Sequence, residues 1–180
     1  MRCSVVGCFY SKNIKGAPPC VNIPIKSYFV VHRGFRNLCL ANTCKMLEQW
    51  EREGEQPEDR IRSFIHILIM NRAKIKRYGC PVGTLCGELA KLNHISQAEA
   101  NKLFTVFRTW LRRQFPLLGR KADADELAMR LLARSQGVAT LANAFHDEKF
   151  IKQEAKQMCD WLRSCAESVI HDAQDGHGKG

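Results

Sequence analysis

The chain's 180 residues, 45% hydrophobic and 26% charged, suffice for one main domain with a buried core plus a small appendage. Its apolar runs, such as Phe64 to Met70, are too short to span a membrane, and no signal peptide opens the chain, so a cytoplasmic protein without membrane association is expected. The formal charge of +10 is uneven: seven basic residues and no acidic one precede Glu48, which puts most of the excess in the first quarter.

Residues 1 to about 34 hold Gly7, Gly16, Pro18, Pro19, Pro24 and Gly34 among short β-prone pieces, Cys20 to Ile25 and Tyr28 to Val31. Neither a helical nor a strand period survives there, so an irregular basic leader is expected over 1–38. Its charge would attract nucleic acid without reading sequence. Near Phe35 the pattern becomes helical, with Leu38, Cys39, Ala41, Asn42, Met46, Leu47 and Trp50, and Gly54 is the natural stop.

Pro57, Glu58 and Asp59 start the next helix, since proline lacks only an amide that would be unpaired there and the acids face the positive end of the helix dipole. Ile61, Phe64, Ile65 and Leu68 form its apolar face. Tyr78-Gly79-Cys80-Pro81 turns the chain into a short helix carrying Leu85, Leu89 and Leu92. Ser96 and Glu99 have the spacing of a capping box for a helix burying Leu103, Phe104, Phe107, Trp110 and Leu111, which Pro116 ends.

Asp123 or Asp125 starts a long helix with apolar Leu127, Leu131, Val138, Leu141 and Phe145, and with small Ser135, Gly137, Ala139 and Ala142 beside them. From about Asp147 a last helix spaces Ile151, Ala155, Met158, Leu162, Cys165 and Val169 alternately by four and three, the seam of a bundle or coiled coil. The glycine-rich end, within 171–180, is expected to be a flexible tail. The fold class is therefore all-α, an antiparallel bundle of about six helices.

Nine cysteines are an odd number and include no Cys-x-x-Cys pair, so neither a complete disulfide framework nor a metal knuckle is expected. Cys159 and Cys165 read as small core residues. Six histidines, none paired one turn from a carboxylate ligand, add no metal site, and no cofactor is expected. Cys80 or Cys86 with His66 or His94 lacks a third orienting group, so the chain does not read as an enzyme. A thiol sensor using Cys80 and Cys86 is a lesser alternative. The basic clusters Arg72 to Arg77 and Arg108 to Arg113 sit beside acidic helices and read as solvated helix faces.

Two runs carry a family likeness. Gly79-Cys80-Pro81-Val82-Gly83-Thr84-Leu85-Cys86-Gly87-Glu88-Leu89-Ala90 resembles the turn into the short central helix of the C-terminal domain in tetracycline-repressor-like (TetR) transcriptional regulators. Leu131-Leu132-Ala133-Arg134-Ser135-Gln136-Gly137-Val138-Ala139-Thr140-Leu141-Ala142 is similar to that domain's penultimate helix, and a final helix ending near Trp161-Leu162 follows. The likeness covers residues 39–170 and implies a ligand-binding and dimerisation domain. It implies an effector site inside the bundle, for which Phe64, Leu68, Tyr78, Leu85, Phe104, Phe107, Trp110 and Met129 are the candidate lining, suited to a small apolar or aromatic effector. It also implies a homodimer through the last two helices, with Leu131, Val138, Leu141, Phe145, Ile151, Met158, Leu162 and Cys165 as candidate interface residues.

In the family a three-helix DNA-binding head precedes this domain. Here Lys15-Gly16-Ala17 is followed by Pro18-Pro19, and two prolines forbid a continuous recognition helix at that place. The head is expected to be truncated or scrambled, through a reading frame that starts late or slips upstream of Cys39. The function expected is a TetR-family regulator, in the sense of a repressor, whose DNA binding is incomplete. The alternative is a dimerisation and ligand-binding module without operator binding of its own.

Overall fold

The computed structural model describes residues 28–175, with side chains over 40–167. Among the described residues it is an all-α bundle. The helices are α1 (Tyr28–Glu53), α2 (Pro57–Met70), α3 (Arg72–Tyr78), α4 (Pro81–Lys91), α5 (Gln97–Gln114), α6 (Ala124–Ala144) and α7 (Glu148–Asp175), with a 3-10 turn at Phe115–Leu118. Only Asn71 separates α2 from α3, so the pair is one broken helix and the expected number of about six holds. No helix among the described residues is long and apolar enough to cross a membrane.

Local chemistry sets the breaks. The Gly54 amide donates to the Trp50 carbonyl at 3.0 Å. A side chain there would start 2.6 Å from Cγ of Arg60, whose Nε donates to the Gly54 carbonyl at 3.0 Å. Pro57 opens α2 with Glu58 and Asp59 in its first turn. At Asn71 the backbone amide and the side-chain Nδ2 both donate to the Ile67 carbonyl, at 3.1 and 3.0 Å, a local side-chain bond of the kind that competes with a continuing helix. Gly79 closes α3 with φ +73, a left-handed conformation that glycine adopts without steric cost. Asp147 caps α7, its Oδ1 accepting from the amides of Lys149 at 2.7 Å and Phe150 at 3.2 Å.

Three expectations need correction. α1 opens at Tyr28, so Tyr28–Val31 is helical and the irregular leader does not extend to residue 38. The β-preference of Tyr28 to Val31 is a weak local bias, and extending a nucleated helix overrides it. The capping box at Ser96 and Glu99 does not form: the Ser96 side chain makes no cap bond, its amide donates to Nδ1 of His94 at 3.0 Å, and Glu99 pairs with Lys102. At the other end α7 runs to Asp175, so 171–175 is helix. The features expected before Tyr28, Pro18-Pro19 among them, and those of 176–180 lie outside the described residues.

The core centres on α2. Ile61 and Ile65 are fully buried and face the α7 seam of Ile151, Ala155, Met158 and Leu162, all at most 3% exposed. Fully burying one such side chain stabilises by about 1.5–3 kcal/mol. A surface ion pair contributes about 0–1 kcal/mol. The apolar seam therefore holds α7, and pairs such as Arg134 with Glu154, at 2.9 Å, only trim its register. Phe115 closes one end of this core, its ring edge-on to Trp161 at 6.4 Å between centroids. A smaller cluster, Val82, Cys86, Leu89, Ala100 and Leu103, joins α4 to α5.

Candidate functional site

A cleft of about 600 Å³ lies between α1, α2, the α3–α4 junction, α5 and α6. One wall is a single face of α1, where Asn42, Lys45, Met46, Gln49, Trp50 and Glu53 recur at helical spacing. The opposite walls bring Phe64, Ile67 and Leu68 from α2, Ile75 and Val82 from the junction, Phe104 and Phe107 from α5, and Leu132 and Ala139 from α6. Edge-to-face ring pairs stiffen it: Phe64 meets Phe107 at 5.7 Å between centroids, and Trp50 meets Trp110 at 5.6 Å.

Four of the eight expected lining residues, Phe64, Leu68, Phe104 and Phe107, come together here. The other four lie elsewhere. Trp110 is buried behind Trp50. Tyr78 is half-buried at the end of α3, with the Arg77 guanidinium over its ring. Leu85 packs on the smaller α4–α5 cluster, and Met129 is exposed on the outer side of α6. Apolar spacing marks the inner face of a helix but not which part of that face borders a void. Sequence reading missed the α1 wall, although the recurrence of Asn42, Lys45, Met46, Gln49, Trp50 and Glu53 was its signal.

The polar groups of the cleft differ in how far they are already engaged. Ser135 donates to the Leu132 carbonyl at 2.7 Å and Asn71 to Ile67. Nδ2 of Asn42 is buried without a hydrogen-bond partner. Gln136 reaches over Gly83, where an added Cβ would lie 2.5 Å from its Oε1. Lys45, Gln49, Glu53 and His66 are exposed and form the rim.

The α6–α7 turn is tied to the same region. Asn143 Nδ2 reaches the Lys76 carbonyl at 3.0 Å, with Nδ1 of His146 at 3.3 Å from the same oxygen. The Glu148 carboxylate meets Lys76 Nζ at 2.9 Å and Arg72 Nε at 3.6 Å. The hydrogen bond from Lys76 holds the Glu148 carboxyl below the usual range.

Six of the eight expected interface residues, Leu131, Val138, Ile151, Met158, Leu162 and Cys165, are buried within the single chain, because the α7 seam is filled by α2 and the inner face of α6 by α5 and its neighbours. Leu141 and Phe145 remain exposed, Phe145 at 75%. Cys86 is no poised thiol: burial, then the neighbouring Cys80, pushes it up to about 11, and it stays protonated at neutral pH. Among the described residues no group of three or more His, Cys, Asp or Glu side chains is placed to hold a metal ion. Of the basic clusters, Arg72 and Lys76 pair with Glu148, Arg108 with Asp125 and Arg113 with Glu51, as solvated helix faces do.

No protein-family model matches the chain, and no curated protein matches it.

Proposed function

We propose that the chain is a TetR-type transcriptional regulator of the cytoplasm, without catalytic activity, whose bundle takes a small apolar or aromatic effector into the cleft. The observation that carries this reading is the cleft itself. Its volume, about 600 Å³, falls in the range of drug-sized ligand pockets, and its walls are mainly apolar with a few polar groups. One wall is α1, the helix that follows the leader, so an occupant that shifts α1 re-aims whatever precedes it. A ligand acts this way only if it binds the two arrangements differently.

Dimerisation through α6 fits the same reading. Met129 and Leu141 are exposed on that helix, and Phe145 at its C-cap, beside small Ala133, Gly137 and Ala144, whose exposure leaves room for a second helix to approach closely. A second reading, a ligand-binding and dimerisation module without operator binding, is favoured by Pro18-Pro19 at the place of the recognition helix.

Two measurements test the proposal. The neutral fluorophore N-phenyl-1-naphthylamine should bind the purified chain saturably, one molecule per chain, and Ile67→Trp, which fills the cleft from α2, should abolish binding. Absence of saturable binding overturns the effector site. Retardation of DNA from upstream of the chain's own gene, surviving physiological salt, supports the regulator. Salt-labile retardation or none supports the module.

A further inference from the structure

We infer that the cleft selects an anionic amphiphile, an aromatic or otherwise apolar monocarboxylate, and holds its carboxylate at Asn42 and Lys45 on α1. The inference rests on the effector-site reading above. Asn42 and Lys45 are three residues apart on one helix face, which sets their Cβ atoms about 5–6 Å apart, a span that one carboxylate bridges. Nδ2 of Asn42 is the only one of the four unpartnered buried polar atoms among the described residues whose side chain borders the cleft. The terminal torsion of an asparagine is broad, so rotation about it presents this donor to an acceptor in the cleft. Lys45 lays its apolar stem along the wall and its charge at the rim. None of the ion pairs among the described residues engages it.

The cleft is also polar end to end. Glu53 lies eight residues beyond Lys45 on the same helix, about 12 Å along its axis, and repels an anion from that end. Between the ends the walls are Trp50, Phe64, Ile67, Phe104 and Phe107, which suit a flat apolar body. Charge and shape together give one orientation: head toward Asn42 and Lys45, body along the aromatic walls.

The test compares 2-naphthoate with neutral 2-naphthamide by calorimetry on the full chain at pH 7, with N-phenyl-1-naphthylamine as the reference for the cleft. Naphthoate should bind about fivefold tighter than naphthamide, the size of effect an ion pair at a solvated rim produces. Lys45→Met should erase that difference by weakening naphthoate alone. Asn42→Leu should weaken both naphthyl ligands about tenfold, as loss of one hydrogen bond does. Both variants should keep the parent's helical circular dichroism and melting midpoint, which shows that they fold, and should still bind the neutral fluorophore. Equal affinities for acid and amide, or a preference for the acid that survives Lys45→Met, overturn the inference while leaving the effector site standing. Failure of all three probes to bind overturns both.

Discussion

The side chain of Asn143, near the end of α6, donates to the backbone carbonyl of Lys76 in α3 at 3.0 Å, joining positions 67 residues apart. This bond fixes the α6–α7 turn against the segment that leads into α4. Replacing Asn143 by Ala leaves the half-buried Lys76 carbonyl with only His146, at 3.3 Å, beside it. The expected cost is about 1 kcal/mol in urea unfolding, read as a lower midpoint at unchanged slope. An unchanged midpoint would show that water replaces the asparagine without loss.

Acid should loosen the same turn, through Glu148, and the opposite end of α6, through Asp123 and Asp125. Glu148, through Lys76, Asp123, through Arg120, and Asp125, through Arg108, are each held below the ordinary carboxylate range by a hydrogen bond from the partner. Because the folded chain gives up these protons more readily than the unfolded chain, the stabilisation is complete only above the unfolded values, at about pH 5, and is lost as pH falls through them and then through the depressed ones. Glu148→Gln should therefore melt lower than the parent at pH 7 and converge with it once the pH has fallen below the depressed Glu148 value. A gap that persists in acid would show that the glutamine disturbs packing and not charge.

The two faces of the C-terminal helices should respond oppositely to substitution. Leu162 is fully buried in the α2–α7 seam, so Leu162→Ala should cost about 2–5 kcal/mol at every protein concentration. Phe145 is 75% exposed, so Phe145→Ser should change the unfolding free energy of the single chain by no more than about 0.5 kcal/mol. If the outer face of α6 is a dimer contact, the serine variant instead lowers the sedimentation coefficient and makes melting independent of concentration.

Thiol modification offers a separate check on packing. Cys44 is exposed, whereas Cys86 and Cys165 are buried and their thiols are pushed up by burial, Cys86 to about 11. Since the thiolate is the nucleophile, iodoacetamide at pH 8 should label Cys44 before the other cysteines whose side chains the structure describes, and leave Cys86 and Cys165 intact until denaturant is added. Peptide mass analysis of a time course reads the order directly. Early labelling of Cys86 would mean that the α4–α5 cluster opens on the timescale of the reaction.

Much of the bundle was legible because its helices are punctuated by residues with strong backbone preferences. Gly54, Pro57, Gly79, Pro81 and Pro116 sit at or within two residues of observed helix boundaries, and the spacing of Ile61, Phe64, Ile65 and Leu68 named a face that is buried throughout. The break at Asn71 was not legible, since asparagine carries only a mild helix penalty and the bond to Ile67 is seen only once the helix exists. The seam of α7 was visible as a seam, but periodicity identifies an apolar stripe without identifying its partner. Here α2 of the same chain fills it. The cleft was half legible for a related reason: Phe64, Leu68, Phe104 and Phe107 were recognisable as inward-facing, while the α1 wall mixes polar and apolar residues and gives a weak amphipathic signal.

The pairing of α2 with α7 also bears on how the protein is made. Ile65 and Met158 are 93 positions apart, and a ribosome adding about 5–20 residues per second takes roughly 5–20 s to supply the second after the first. Throughout that interval the greasy side of α2 has no seam to enter, and the nascent chain presents Ile61, Phe64, Ile65 and Leu68 to the crowded exit of the ribosome. Until α7 has emerged, that unpartnered apolar side is a surface on which the growing chain can aggregate.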